Sequence, residues 1–201
     1  MRDPDLSQAG VTMVELMITV LVFSIFLAIV LSSLVGITKA STQAQTIARS
    51  STGALIVFQN FDRAIRYANV INAPGSAGGK RYVEFRIPAK DSTSLATCFQ
   101  WRYDPSAKTI ASRQWPDGAA ATTATAWATK LTSVFDDGAN YPFVLILAGG
   151  TGSAMQQLKL TIDAGNASQK GALVTTTFVA RNSDASSNSA GLVCSAAAMR
   201  G

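Results

Sequence analysis

The sequence predicts an α+β protein in which one long N-terminal helix packs against an antiparallel β-sheet. An apolar segment starts near residue 11 and passes without a break into an amphipathic segment of helical period. After residue 73 the pattern changes to short segments in which apolar and polar residues alternate, separated by turn residues. We therefore expect residues 73–201 to form a β head with a loosely wrapped C-terminal tail.

The helix is predicted to run from about residue 13 to residue 71. Leu16–Ile37 carries no charge, and at about 1.5 Å per residue it is long enough to cross a hydrocarbon core of roughly 30 Å. No proline interrupts the helix before residue 74. Residues 38–72 form its amphipathic continuation, and the face predicted to pack on the sheet contains Ile47, Ser51, Ala54, Phe58, Phe61, Ile65 and Ala68.

The head is predicted to contain six strands, the last two of which form a hairpin. In the first strand, the alternation puts Val83 and Phe85 on one face and Tyr82 and Glu84 on the other. The Ala/Thr-rich residues 119–130 are predicted to form a surface loop. The predicted strands are Arg81–Ile87, Leu95–Tyr103, Thr109–Trp115, Pro142–Leu147, Gln157–Asp163 and Leu173–Ala180.

The composition argues against most enzyme classes. The chain has no histidine, which removes Ser-His-Asp and Cys-His catalysis in their usual forms and every His-ligated metal site. Its two cysteines, Cys98 and Cys194, are too far apart in sequence for a zinc knuckle or a redox CxxC motif. We therefore expect no catalytic residue, no cofactor and no metal. The net charge of +5 allows an anionic partner without requiring one.

Glu15 helps to decide between a signal peptide, a plain membrane anchor and a functional helix as interpretations of the apolar segment. A secretory signal peptide would have a shorter apolar run and a small-residue cleavage site, which Thr38-Lys39-Ala40 does not provide. A plain membrane anchor fits the length but does not explain Glu15, because an acid in an apolar helix costs up to a few kcal/mol to insert. On length alone, a position of Glu15 among the lipid headgroups stays an alternative.

The residues around Glu15 resemble a known signal. Gly10-Val11-Thr12-Met13-Val14-Glu15-Leu16, with a short leader before it and an apolar run after it, resembles the cleavage and methylation motif of type IV prepilins and type II secretion pseudopilins. The resemblance implies that residues 1–10 are a leader, that prepilin peptidase cuts between Gly10 and Val11, and that Val11 is then N-methylated. It also implies a type IV pilin-like fold, with residues 11–37 as the transmembrane and assembly helix.

The same resemblance gives Glu15 a role in assembly. Cleavage creates an ammonium group at Val11, and a buried charge needs a partner. In the family the fifth mature residue is Glu, which implies that Glu15 pairs with the Val11 amine of a neighbouring subunit. The implied partners are other pilins or pseudopilins through this helix, prepilin peptidase, the assembly-platform membrane protein, and membrane lipid before assembly. The implied location is the cytoplasmic membrane, crossed once with the head outside the cytoplasm, and then the pilus or pseudopilus.

Short segments of the head resemble particular members of the family. Asp62-Arg63-Ala64-Ile65, Trp101-Arg102-Tyr103-Asp104 and residues 175–182 are similar to J-type minor pseudopilins and PilW-like minor pilins. The resemblance implies a structural subunit, not an enzyme, that primes, caps or joins a type IV pilus or a type II secretion pseudopilus. The alternative function is that of a DNA-binding minor pilin in a competence apparatus.

Two further features of the head lead to predictions. Cys98 and Cys194 would both lie outside the cytoplasm, where disulfides persist, so we predict a bridge between them, with two free thiols as the alternative. Residues 80–113 combine basic residues with interleaved aromatics, a pattern that can bind single-stranded nucleic acid. An ordinary sheet with solvated arginines is the favoured interpretation. The candidate nucleic-acid residues are Arg81, Arg86, Arg102 and Arg113.

Overall fold

The computed structural model of the chain describes residues 12–118, 123–135, 141–150, 152–166, 169–189, 191, 193–194 and 200. It divides into two compact units, Met1–Gln45 and Thr46–Gly201. The predicted α+β, type IV pilin-like fold is confirmed, because a long N-terminal helix is followed by antiparallel sheet. The elements are α1 (Met13–Ile65), β1 (Val70–Ile71), β2 (Gly75–Ala77), β3 (Lys80–Ile87), β4 (Thr97–Asp104), β5 (Thr109–Pro116), β6 (Ala128–Thr132), β7 (Val134–Phe135), β8 (Phe143–Ile146), β9 (Gln157–Asn166), β10 (Gln169–Val179) and a 3-10 helix (Ala185–Ser189).

The described part of the first unit is the beginning of α1. Its hydroxyl side chains turn back onto the helix: Thr19 donates to the Glu15 carbonyl at 2.7 Å, and Ser24 donates to the Val20 carbonyl at 2.7 Å. Thr38 makes the same bond four residues back, at 2.8 Å. Each hydroxyl proton is thus satisfied inside the helix.

The second unit contains two sheets. The first has six strands in the order β1-β3-β4-β5-β6, with β2 also paired to β3, and the second has four, with β10-β9-β7 in order and β8 paired to β9. Adjacent strands in both sheets are antiparallel. Ser133, at a φ of 59°, separates β6 from β7, so a single turn carries the chain from one sheet to the other.

Phe61 of α1 joins the helix to both sheets. Its ring centroid lies 4.3 Å from that of Trp101 and 6.2 Å from that of Phe85, both in the six-stranded sheet. It also lies 6.0 Å from Phe143 and 5.6 Å from Phe178 in the four-stranded sheet. One aromatic side chain of the helix thus packs against both sheets in a common core.

The stripe of α1 that packs on the sheets agrees with most of the predicted face. Ile47, which was placed on that face, is 39% exposed, and Val57, which was not, is fully buried. The buried stripe starts at Ala54, about two turns after Ile47, close to where Leu131 of β6 approaches Gly53. The buried residues of the stripe are Ala54, Val57, Phe58, Phe61 and Ile65.

The prediction that α1 continues to residue 71 is wrong. The helix ends at Ile65, and the Ala68 N–H closes a tight turn onto the Ile65 carbonyl at 2.9 Å. Val70 and Ile71 then pair with β3 as a short strand and are almost fully buried. Their apolar spacing continues the helical period, but pairing with the sheet overrides it.

The six predicted strands correspond to β3, β4, β5, β8, β9 and β10. The prediction that residues 119–130 form a loop is wrong for their last part, because β6 begins at Ala128 and pairs with β5. Residues 119–122 lie outside the described part of the chain. The Ala and Thr residues of β6 give no apolar alternation from which a strand could be predicted.

The tail is attached to the head at several points, contrary to the prediction of a loose tail. Within the 3-10 helix, the Ser187 hydroxyl donates to the Asn69 carbonyl at 2.8 Å. Beyond it, Val193 bonds to Asn72 and Arg200 pairs with a carboxylate of β3. These residues of the tail are therefore packed against the head and stabilise it.

Candidate assembly site

Helix α1 begins with a cap that involves Glu15. Thr12 precedes the helix, and its hydroxyl oxygen accepts a hydrogen bond from the Glu15 N–H at 3.2 Å, which satisfies one of the free donors of the first turn. The Glu15 carboxylate lies in that first turn, where the helix dipole favours a negative charge. Among the described residues it has no hydrogen-bond or ion-pair partner.

The surface around Glu15 is apolar and exposed. Every residue from Thr12 to Gln45 is exposed, including Phe23 and Phe26 at 59% each. By length and composition, α1 is the one helix in the described chain that is able to cross a membrane. Such a surface needs lipid or other apolar helices around it. A charge placed at its start therefore meets either a headgroup or a partner subunit.

A chain of polar side chains crosses the outer face of the six-stranded sheet, which is the face that α1 does not cover. Glu84 is fully buried there and accepts bonds from Arg200 at 2.5 Å and 2.9 Å and from the Gln100 amide at 2.9 Å. Gln100 in turn accepts a bond from the Arg113 Nε at 2.8 Å. Burial lowers the pKa of Arg113 below its ordinary value.

Trp127 covers part of the same face. The guanidinium carbons of Arg102 and Arg113 lie 4.2 Å and 4.4 Å from the centre of its ring. At these distances the ring attracts both cations. On the outer face, Trp127 is thus stacked with Arg102 and Arg113, and this face is not an open basic surface.

Cys98 and Cys194 are joined by a disulfide, with their Cα atoms 5.7 Å apart. The bridge packs on Trp115 in a small apolar cluster on the outer face. Next to it, the Asn72 side chain donates to the Val193 carbonyl and accepts from the Val193 N–H, both at 3.0 Å. The disulfide and this pair of bonds hold the end of the tail against β4 and the connection after β1.

A comparison with protein families bears on the start of the chain. Residues 6–31 match the family model described as the prokaryotic N-terminal methylation motif. The chain carries a type IV pilin-like signal. The methylation motif points to a structural, generally non-enzymatic protein that interacts with other pilins and with prepilin peptidase, and together with the apolar helix it fits a membrane-anchored protein. No curated protein and no solved structure matches the chain.

The methylation motif includes Gly10, Val11 and Glu15. Of these, only Glu15 belongs to the described part of the chain, and its carboxylate is at the start of the exposed apolar helix. Gly10 and Val11, the predicted cleavage and methylation residues, lie outside the described residues. Cleavage, methylation and pairing with Glu15 therefore stay predictions.

The four candidate nucleic-acid arginines all have partners inside the chain. Arg86, Arg102 and Arg113 share the outer face, because they occupy paired or alternating positions of β3, β4 and β5. Arg81 belongs to the opposite face of β3. Arg81 donates to the Tyr141 carbonyl at 2.7 Å, and Arg86 pairs with Asp117 at 3.3 Å. Arg102 stacks on the Trp127 ring, and Arg113 donates to Gln100.

One group of potential metal ligands occurs in the described part of the chain. The sulfur atoms of Cys98 and Cys194 and a carboxylate oxygen of Asp117 lie within 4.8 Å of one another. Both sulfurs belong to the disulfide, however, and a cysteine binds a metal as a free thiolate. The group fits a structural bridge and does not fit a metal centre.

Sequence reasoning missed the buried Glu84, Gln100 and Arg200. The pairing register places Glu84 opposite Gln100, and Gln100 opposite Arg113, so these polar residues form a row across three strands. A partial signal was present in the sequence, because Glu84 and Gln100 each lie between two apolar residues of a predicted strand. Only the folded structure shows that Arg200 of the tail supplies a cation that pairs with Glu84.

Proposed function

We propose that this chain is a minor pilin or pseudopilin that primes, caps or joins a type IV pilus or a type II secretion pseudopilus. The observation that carries the proposal is the Glu15 carboxylate, which lies inside the methylation motif and has no partner among the described residues. An acid in this position pairs with the Val11 ammonium of a neighbouring subunit when the helices bundle. The apolar surface of α1 then exchanges lipid for other helices.

The proposal includes a location and a set of partners. The chain crosses the cytoplasmic membrane once, with the head outside the cytoplasm, and meets prepilin peptidase and an assembly-platform protein there. A disulfide in the head suits a compartment in which thiols are oxidised. The short head segments that resemble J-type minor pseudopilins and PilW-like minor pilins support a minor subunit, present in few copies.

DNA binding in a competence apparatus has less support. Phosphate binding needs cations that are open to solvent, whereas Arg86 pairs with Asp117 and Arg102 stacks on Trp127. Stacking of bases needs exposed aromatic rings, but Trp101 and Trp115 are each only 2% exposed. The structural role is therefore the one that we propose.

We predict that the mature chain begins at Val11. Prepilin peptidase recognises the residue before the cut, so Gly10→Val should leave the leader attached while the wild type loses it. Mass spectrometry of membrane-extracted protein measures both the N-terminus and its methylation. An intact leader on the wild-type chain, in a strain with active peptidase, would contradict the assignment.

We predict that Glu15→Ala inserts into the membrane and is cleaved, but fails to enter filaments. Without the carboxylate, a buried ammonium group loses its partner, so incorporation should fall by at least about tenfold. Glu15→Gln should be intermediate, because it keeps a hydrogen bond without the charge. The measurement is the ratio of processed subunit in sheared filaments to that in membranes.

Thr12→Ala is the matched control for this experiment. It removes the capping bond to the Glu15 N–H but keeps the carboxylate, so it should cost about 1 kcal/mol of helix stability and leave assembly largely intact. If Thr12→Ala and Glu15→Ala reduce incorporation equally, Glu15 acts through the cap. If Glu15→Ala assembles like wild type, the pairing mechanism is wrong.

A further inference from the structure

A groove lies in the second unit, between the end of α1 and the inner face of the six-stranded sheet. Its volume is about 470 Å³, and most of its lining is apolar. It is distinct from the assembly helix and from the outer face with its disulfide. We call it the basic groove, and its principal lining residues are Arg63, Tyr67, Phe99, Trp101, Gln114 and Lys130.

The basic groove combines an aromatic floor with a cationic rim. Phe99 is only partly covered, and its ring stacks on that of Phe85 at a centroid distance of 5.6 Å. Arg63 and Lys130 stand at the rim, and neither has a hydrogen bond or ion pair with any residue that the structure describes. Among the described residues, no acidic side chain lines the groove. Its charge is thus complementary to an acidic occupant.

Tyr67 marks the open side of the groove. It is 55% exposed, and its ring lies between the basic groove and a second, more polar hollow of about 310 Å³. The second hollow shares Arg63 and Tyr67 with the first and continues along α1 to Gln59 and Asp62. The two hollows therefore lie side by side along α1, an arrangement that suits an extended polypeptide.

The floor of the groove contains a polar group without a partner. The Trp101 side chain is 2% exposed, and its indole N–H has no acceptor among the described residues. A buried donor without an acceptor is costly, by about 1–3 kcal/mol. Trp101 thus carries a donor that is not used within the described part of the chain.

We propose that the basic groove docks an extended, acidic segment from the head of a neighbouring pilin-type subunit. Arg63 and Lys130 bind its carboxylates, Tyr67 covers it, and an apolar side chain of the segment fills the space over Phe99 and Trp101. Tyrosine, arginine and tryptophan are the residue types that dominate protein interfaces. The inference rests on the proposed function, since it names the head contact that such a subunit makes.

Site-specific photo-crosslinking in the full chain tests this docking. A benzophenone amino acid replaces Tyr67, and in a second strain it replaces Leu173, which is 63% exposed on β10 of the other sheet. We expect Tyr67 to crosslink to one pilin-type protein through a peptide of net negative charge, and Leu173 not to do so. A basic peptide, a crosslink to residues 119–122 of the same chain, or equal products from both positions would overturn the proposal.

Charge reversal measures how much the rim contributes. Arg63→Glu or Lys130→Glu should reduce the Tyr67 crosslink by about tenfold or more. Lys159→Glu is the matched control, because Lys159 is exposed on the other sheet and the same change there should leave the crosslink intact. Equal crosslinking in Arg63→Glu, Lys130→Glu and wild type overturns the groove contact.

The two proposals fail in different ways. If the wild-type chain is absent from sheared filaments, the proposed function is wrong and the contact through the groove falls with it. If the wild type enters filaments and Glu15→Ala does not, but the charge-reversed variants crosslink like wild type, only the groove contact is wrong.

Discussion

Arg200→Ala is expected to lower the free energy of unfolding of the head by about 3–5 kcal/mol, because it removes the salt-bridge partner of the buried Glu84 carboxylate. Glu84 is fully buried and forms a salt bridge with Arg200. Arg113 is another cation that interacts electrostatically with it. The remaining bonds, from Gln100 and a long one from Asn72, do not neutralise the charge. Urea unfolding of the full chain in mild detergent, followed by tryptophan fluorescence, measures the loss.

The matched control is Arg66→Ala, which removes another arginine–carboxylate pair. Arg66 pairs with Asp62 on the surface of α1, where the two side chains are 41% and 44% exposed, so its loss should cost less than about 1 kcal/mol. In the double variant Glu84→Gln/Arg200→Ala the buried charge is gone, and part of the lost stability should return. If Arg66→Ala and Arg200→Ala cost the same, the buried pair has no special role.

Gly75→Ala offers an independent way to disturb the same pair. A Cβ atom at position 75 would overlap a terminal nitrogen of Arg200, so the guanidinium that pairs with Glu84 must shift. We expect a loss of stability in the same direction as for Arg200→Ala, and no further loss when the two changes are combined. Full additivity would mean that Gly75 acts on something other than the pair.

Cys98→Ala/Cys194→Ala is expected to destabilise the head by about 2–5 kcal/mol. The bridge closes a loop of 96 residues, for which the chain-entropy model gives about 4–5 kcal/mol. Reductant should lower the stability of the wild type and leave that of the double variant unchanged. Non-reducing peptide mapping checks the bridge directly, and two thiols open to alkylation would contradict it.

The disulfide and the Glu84–Arg200 pair should not act independently. Cys194 precedes Arg200 by six residues, so the bridge holds the arginine close to its carboxylate. Loss of the bridge should therefore already weaken the ion pair. The combined variant is expected to lose less than the sum of the two separate losses.

The elements that could be predicted are those in which the spacing of apolar residues along the chain is enough to identify a helix or a strand. The alternation in β3 and the apolar stripe around Phe61 depend on neighbours along the chain, and both were predicted. The end of α1 was not, because Val70 and Ile71 fit either a helix or a buried strand, and only their pairing with β3 decides.

The candidate site was predicted unevenly, for a similar reason. The motif around Glu15 is continuous in sequence, so its spacing could be recognised. Glu84 depends on Arg200, which lies 116 positions away. Alternation indicates that Glu84 and Val83 lie on different faces of the sheet, but not that α1 buries one face while the tail residue Arg200 covers Glu84 on the other.

Several hydroxyl side chains of α1 bond to the helix's own backbone, which suits the helix both to lipid and to a bundle of helices. Thr19, Ser24 and Thr38 keep their hydrogen bonds within the helix, so in the proposed assembly these groups would exchange no partner when α1 moves from lipid into a bundle. Lipid tails and neighbouring helices are similarly apolar, so the transfer itself has little driving force. Glu15 is then the side chain whose partners change most. We expect entry into a filament to be reversible, with the equilibrium governed largely by that single acid.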